Sequence, residues 1–273
     1  MRRVLVLFTG LFLIMLSTRA QSVLMSYYGT ANDAARENNI DKLNQIVAQR
    51  FNNLKCAEAY TSDMVIKALK KRGIKKQSIG EALQNLRSRK QPIVIANVQL
   101  LDGVMTDKLK DAVRESKINL DSISMTKPLL YNSDDCKWLA NVLSQHIKAD
   151  HDTEIVLVGH GSDDSANATY ALVDYIMQQE GKENFHVGTI EGYPDLNAIK
   201  QILKKRKAQK VILFPLLLIA GNHALQDING TWKSELEEEG YKVTVAQEGL
   251  LELTEVQQRI IGNIEKEIDN LTY

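Results

Sequence analysis

Ile155-Val156-Leu157-Val158-Gly159-His160-Gly161-Ser162 is a run of four branched apolar residues that ends in a histidine held between two glycines. A continuous Val/Ile/Leu run bounded by glycine reads as a strand buried on both faces, as in parallel sheets covered by helices. Two further runs have the same form. Phe185 to Ile190 leads to Glu191, and Val211 to Ala220 leads to His223. Helical patterns alternate with these runs, so the spacing predicts an α/β fold with parallel sheets. In such sheets ligands bind beyond the carboxyl ends of the strands. Two imidazoles and a carboxylate can therefore converge on one cleft, and that set suits a divalent transition metal with coordination positions left open.

Composition sets the bounds. At 273 residues, 44% hydrophobic and 25% charged, the chain can build one large domain or two lobes. Formal charge is zero, and there is no basic patch interleaved with aromatics, so a nucleic-acid partner is not expected. Lys70-Lys71-Arg72 and Lys204-Lys205-Arg206-Lys207 end helical patterns, where cations favour the helix dipole. Cys56 and Cys136 are the two cysteines. With no CxxC and no Cys/His cluster they carry no structural-zinc signal and read as free thiols.

Residues 1–20 belong to another class. Arg2 and Arg3 precede an apolar run from Val4 to Leu16, then Ser17-Thr18-Arg19-Ala20. A basic start, a short apolar stretch and small residues at the cut describe a secretory signal peptide cleaved near Ala20. The alternatives are a buried first strand or an uncleaved anchor. The run is shorter than the ~20 residues a spanning helix needs, so no transmembrane span is expected once the leader is gone. Export to the periplasm is the expected localisation.

The rest repeats itself. Ser22 to Tyr27 reads as a strand with a turn at Tyr28-Gly29-Thr30. A helix carrying Ile40, Leu43, Ile46 and Val47 follows, then a strand around Cys56–Ala59 and a helix from Ser62 or Asp63 to Lys71. Ile79 to Arg87 is a further helix, Pro92 to Leu101 a strand, Ile118 to Ile123 a strand and Ser133 to Ile147 a helix. The second half follows the same order. Glu191-Gly192-Tyr193 mirrors Glu58-Ala59-Tyr60, Val211 to Gly221 mirrors Ile93 to Gly103, and Tyr241 to Gln247 with the Val256/Ile260/Ile264/Ile268 helix closes it. The expected domains are a 21–148 lobe and a 149–273 lobe, two similar doubly wound parallel-sheet lobes with a cleft between them. The positions of His160 and His223 correspond to Tyr28 and about Met105, so one lobe alone is chemically equipped.

Gly159 and Gly161 allow a sharp turn and close approach of a ligand to His160, whose neutral imidazole can bind metal or accept a proton. Read by itself, it could equally be a turn histidine bonded to backbone. Glu191, at the end of an apolar strand, is expected to be desolvated and to need a partner: a metal, a cationic histidine or a helix N-terminus. Asp227, one helical turn beyond His223, can orient its imidazole. His146, His151 and His186 read as structural. Ser162 or Ser165 could belong to a hydrolase triad on paper, but no G-x-S-x-G elbow exists. Gly159-His160-Gly161-Ser162 is not a phosphate loop, since no Gly-Lys-Ser/Thr follows.

At these residues the chain resembles the class II tetrapyrrole chelatases, and within them the anaerobic sirohydrochlorin cobaltochelatases of the CbiK type. The matching pieces are Gly159-His160-Gly161, Glu191-x-Tyr193-Pro194, and Pro215 through Gly221-Asn222-His223-Ala224 with Asp227. Ser26-Tyr27-Tyr28-Gly29-Thr30 resembles the family's opening strand and turn. The likeness spans about residues 22–268. It implies a tetrapyrrole lying between two lobes, a metal site at His160, Glu191 and His223, and His160 as acceptor of pyrrole protons. Tyr28, Gly29 and Ser162 are the turn residues it places against the macrocycle. It also implies a divalent metal as substrate (Co2+ first, with Fe2+, Ni2+ or Zn2+ open) and no organic cofactor. A homo-oligomer is left open. The competing reading is an exported haem or tetrapyrrole carrier with His160 or His223 as axial ligand, or a protein that removes iron from haem by reversing the chelatase step. Export favours those readings, and an intact His/Glu/His set favours chemistry.

Overall fold

A computed structural model describes residues 22–87, 92–119 and 122–271, with the backbone alone at 222–224. The proposed leader at 1–20 lies outside the described residues. In chain order the first half holds β1 (Ser22–Tyr27), α1 (Asp33–Ala35), a π-helical stretch Arg36–Asp41, α2 (Lys42–Arg50), β2 (Lys55–Tyr60), α3 (Asp63–Lys71), α4 (Ile79–Arg87), β3 (Ile93–Val98), α5 (Val104–Glu115), β4 (Ile123–Met125) and α6 (Ser133–His146). The second holds β5 (Thr153–Gly159), a 3-10 turn Ser165–Asn167, α7 (Ala168–Gln179), β6 (Phe185–Thr189), α8 (Leu196–Arg206) and β7 (Lys210–Pro215). It ends with α9 (Asn222–Asp227), a π-helical stretch Ile228–Trp232, α10 (Lys233–Glu238), β8 (Lys242–Val245) and α11 (Thr254–Asn270).

Each half builds a four-stranded parallel sheet, in the orders β2-β1-β3-β4 and β6-β5-β7-β8. The central strands β1, β3 and β5 are buried at every residue, which is why their sequences run apolar without alternation. The expected strand Ile118–Ile123 is displaced. Ile118 follows the left-handed Lys117 (φ 54°) that ends α5, and pairing with β3 begins only at Ile123.

Backbone hydrogen bonds give the internal repeat a register. Thr61 and Ser62 donate to the carbonyls of Tyr27 and Tyr28 at 2.8 and 3.3 Å, while Ile190 and Glu191 donate to Gly159 and His160 at 3.0 and 2.7 Å. On the other side, Leu129 and Leu130 donate to Gln99 and Leu100, as Leu250 and Leu251 do to Leu217 and Leu218. Tyr28 thus corresponds to His160, Ser62 to Glu191 and, counting on along the chain, Met105 to His223. The expected match of Glu58 with Glu191 is corrected. Glu58 lies inside β2, where its carboxylate accepts from Asn44 Nδ2 at 2.6 Å and pairs with Lys76. Shared Glu-x-Tyr spelling misled because strand pairing, not local lettering, sets equivalence.

The lobes exchange their closing helices. α6 packs on α7, and its His146 ring meets Phe214 of β7 edge-on, with centroids 6.1 Å apart. In return α11 lies against β3 and β4. Arg259 on α11 ion-pairs with Asp135 on α6, and Glu267 accepts from Ser124. One apolar core therefore runs from Val23 and Leu43 through Leu139 to Ile155, Leu157 and Ile264. Cys56 and Cys136 are free thiols, and burial pushes Cys136 up to about 11. Among the described residues no helix is long and apolar enough to cross a membrane.

Candidate active site

The carboxyl ends of β6, β5 and β7 lie side by side and deliver Glu191, His160 and the segment leading to His223. Gly159 has no room for a side chain: a Cβ there would sit 2.2 Å from the Tyr170 ring. The Tyr170 ring lies against this turn, and burial pushes its pKa up, with the backbone of Gly161 and His160 acting in the opposite direction. Gly161 adopts φ +92°, and a Cβ on it would fall 1.2 Å from the Glu191 carbonyl oxygen. Only glycine permits this left-handed turn and this contact between the two loops.

Above the interlocked backbones, His160 Nδ1 stands 3.8 Å from Glu191 Oε2, with side chains 59% and 68% exposed. That separation is too long for a hydrogen bond. Both groups keep their lone pairs open to the cleft. Glu191 is thus not desolvated, contrary to the expectation from its apolar strand. The Gly192-Tyr193-Pro194 insertion carries the chain outward before Asp195 caps α8 by accepting from Ala198 N–H at 2.9 Å. In the first lobe Ser62 fills the rung and the cap at once, accepting from Val65 N–H.

His223 is the second residue of α9, one strand over from His160. Among the described side chains, which do not include His223, no three His, Cys, Asp or Glu residues form a metal-holding group. What they bring together is the His160–Glu191 pair. His186 is buried and bonded to Glu154 at 2.7 Å, with Arg206 on the other carboxylate oxygen at 2.9 Å. His146 bonds Glu248. Both are structural, as expected.

The other lobe supplies the opposite wall. Tyr28 is exposed at the end of β1, and Gly29 (φ +96°) packs directly on Tyr60. Thr30 Oγ1 lies 3.6 Å from where a Gly221 Cβ would stand, so the first turn of one lobe faces the His223 segment of the other. Tyr28 just past β1, Met64 in the first turn of α3, Val104 at the start of α5 and Tyr193 past β6 leave apolar surface exposed. The Ser162 hydroxyl donates to Asp164 Oδ1 at 2.7 Å. Asp164 Oδ2 in turn accepts the N–H of Val104 at 3.1 Å, capping α5 across the cleft. Asn167 joins the same loops, accepting from Ser162 N–H and donating to the Tyr193 carbonyl. Sequence reading passed over Asp164, Asn167 and Tyr170. The only local signal was Asp164 before a helix start, which predicts a cap and not its partner. A hollow lined by Lys148, Asp150, Lys210 and Lys242 opens at the amino ends of β5 and β7, the end where this fold does not place its chemistry.

Two lobes, each built on a four-stranded parallel sheet, make up a chelatase fold. SirB from Bacillus subtilis with Fe3+ superposes with a TM-score of 0.65 at 13% identity, covering 92% of this chain and 96% of that one. The sirohydrochlorin chelatase SirB from Bacillus subtilis subspecies spizizenii in complex with cobalt gives 0.61 at 13% identity, with the same coverage. The family model described as Cobalt chelatase (CbiK) matches residues 21–269, and the chain belongs to that family. Sirohydrochlorin cobaltochelatase of Salmonella typhimurium is 26% identical over 256 residues, 91% of this chain and 97% of that one. Sirohydrochlorin cobaltochelatase CbiKC of Nitratidesulfovibrio vulgaris is 26% identical over 231 residues, 81% of each chain.

Proposed function

We propose that this protein is a tetrapyrrole metal chelatase that inserts a divalent metal, Co2+ before Fe2+, Ni2+ or Zn2+, into sirohydrochlorin or a related macrocycle. Insertion exchanges two pyrrole protons for one M2+. The observation that carries the reading is the accessible His160–Glu191 pair, 3.8 Å apart at the ends of adjacent strands. An imidazole and a carboxylate at that spacing can share one metal while other positions stay open to ring nitrogens. His223 completes the ligand set from the next strand. His160 would accept one of the two pyrrole protons, and the other would pass to solvent water. The macrocycle is held by apolar burial, with Tyr28, Gly29 and Ser162 in the turns that meet its edge.

The His/Glu set does not itself select cobalt, since affinity follows the Irving–Williams order. The family membership supports Co2+ as first substrate. Incubating the protein with sirohydrochlorin and each metal, and following the visible spectrum, tests the reading. Protein that binds haem tightly yet inserts none of the four metals into any ring would replace it with the carrier reading.

Export completes the proposal. Arg2-Arg3, the apolar Val4–Leu16 run and Thr18-x-Ala20 support cleavage before Gln21. N-terminal sequencing of extracytoplasmic protein should begin there, and an intact Met1 on cytoplasmic protein would remove the export claim.

A further inference from the structure

His160 and Glu191 sit on separate loops after separate strands, and both side chains are exposed. Neither is packed in place by a core. Their separation therefore depends on what joins the loops. The Glu191 N–H to His160 O bond is one tie, 2.7 Å long. A further tie is a side chain, Asn167, at the end of the 3-10 turn. Its Oδ1 accepts the N–H of Ser162, two residues past His160, at 3.1 Å. Its Nδ2 donates to the carbonyl of Tyr193, two residues past Glu191, at 2.7 Å. Gly192 passes so close that a Cβ on it would lie 2.8 Å from Asn167 Oδ1.

We propose that Asn167 is a positioning residue of the metal site, whose amide staples the His160 turn to the Glu191 loop and sets the spacing of the two ligands. The bridge needs a donor and an acceptor on one short side chain, which among the ordinary residues of this size asparagine provides. Aspartate would keep the bond to Ser162 but set a carboxylate against the Tyr193 carbonyl. Alanine would remove both bonds. Outer groups that orient metal ligands typically govern metal affinity by about 10–100-fold.

The inference rests on the chelatase reading for its activity arm and on metal binding alone for the other. Wild type, Asn167→Ala and Asn167→Asp are compared for insertion rate against Co2+ concentration, for macrocycle affinity, and for Co2+ binding without macrocycle, followed by the visible absorption of the ion. Asn167→Ala should raise the Co2+ concentration for half-maximal insertion by about 10–100-fold, and weaken Co2+ binding in step, by more than any change in macrocycle affinity. Asn167→Asp should fall between. A folded variant of either kind with wild-type Co2+ dependence in both assays overturns the proposal. If wild type binds Co2+ in an Asn167-dependent way yet inserts none, the chelatase reading fails and the positioning role stands. If wild type does neither, both fail.

Discussion

The N–H of Glu191 donates to the carbonyl oxygen of His160 at 2.7 Å, one rung beyond the last paired residues of β5 and β6. The same rung in the other lobe joins Ser62 to Tyr28 at 3.3 Å. Adjacent parallel strands lie about 4.8 Å apart, so side chains leaving this rung on the same side arrive within reach of one metal ion. A duplicated scaffold thus presents two facing sets of strand ends. One leads to His160, Glu191 and His223, and the other to Tyr28, Ser62 and Met105.

Replacing His160 by alanine should lower the insertion rate by about 10²–10⁴-fold, the usual cost of losing a general base, while the macrocycle stays bound. Paired insertion rates and macrocycle titrations check this. Loss of macrocycle affinity with no change in rate per bound complex would instead mark His160 as an axial ligand.

Gly161→Ala should disable the site from the backbone. The left-handed conformation costs a non-glycine residue roughly 1–2 kcal/mol, and the new Cβ would fall on the Glu191 carbonyl. The Glu191 loop must move, breaking its bond to His160. Insertion should drop with the fold retained, as judged by circular dichroism. Wild-type insertion by this variant would show that the two loops need not touch.

Asp164→Ala should loosen the lobes. The N-cap position of α5 is Gly103, which offers no side-chain cap, and Asp164 of the opposite lobe supplies one through Val104 N–H. Loss of a cap costs about 0.5–2 kcal/mol, readable as a lower urea midpoint. Apparent macrocycle affinity should fall with it. Unchanged stability and affinity would show the contact to be dispensable.

Burial holds the Asp174 carboxyl above its ordinary range, offset in part by the Val187 N–H at 2.8 Å and by His186. A carboxyl whose pKa rises on folding stabilises the fold while protonated, and that contribution is lost as pH climbs through the folded-state value. Asp174→Asn keeps the acceptor and removes the charge. It should be more stable than wild type at pH 7, with the difference closing as pH falls below the carboxylate range. Urea unfolding across that range decides, and a variant less stable at every pH would refute the argument.

The sequence by itself determined that this is a parallel α/β protein with a repeat, and that His160, Glu191 and His223 follow strands of one sheet. Those features are local. A fully buried strand must be apolar along its whole length, and a tight turn at its end selects glycine. Tertiary structure decided the rest. That Glu191 stands exposed while its strand is buried depends on the detour through Gly192-Tyr193-Pro194. That Ser62, and not Glu58, is its counterpart depends on which strand residues pair. The exchange of α6 and α11 between lobes, the capping of α5 by Asp164 and the bridge made by Asn167 all join groups far apart in the chain. No periodicity or spacing records such contacts, because a side chain's own neighbours in sequence do not change when its distant partner does.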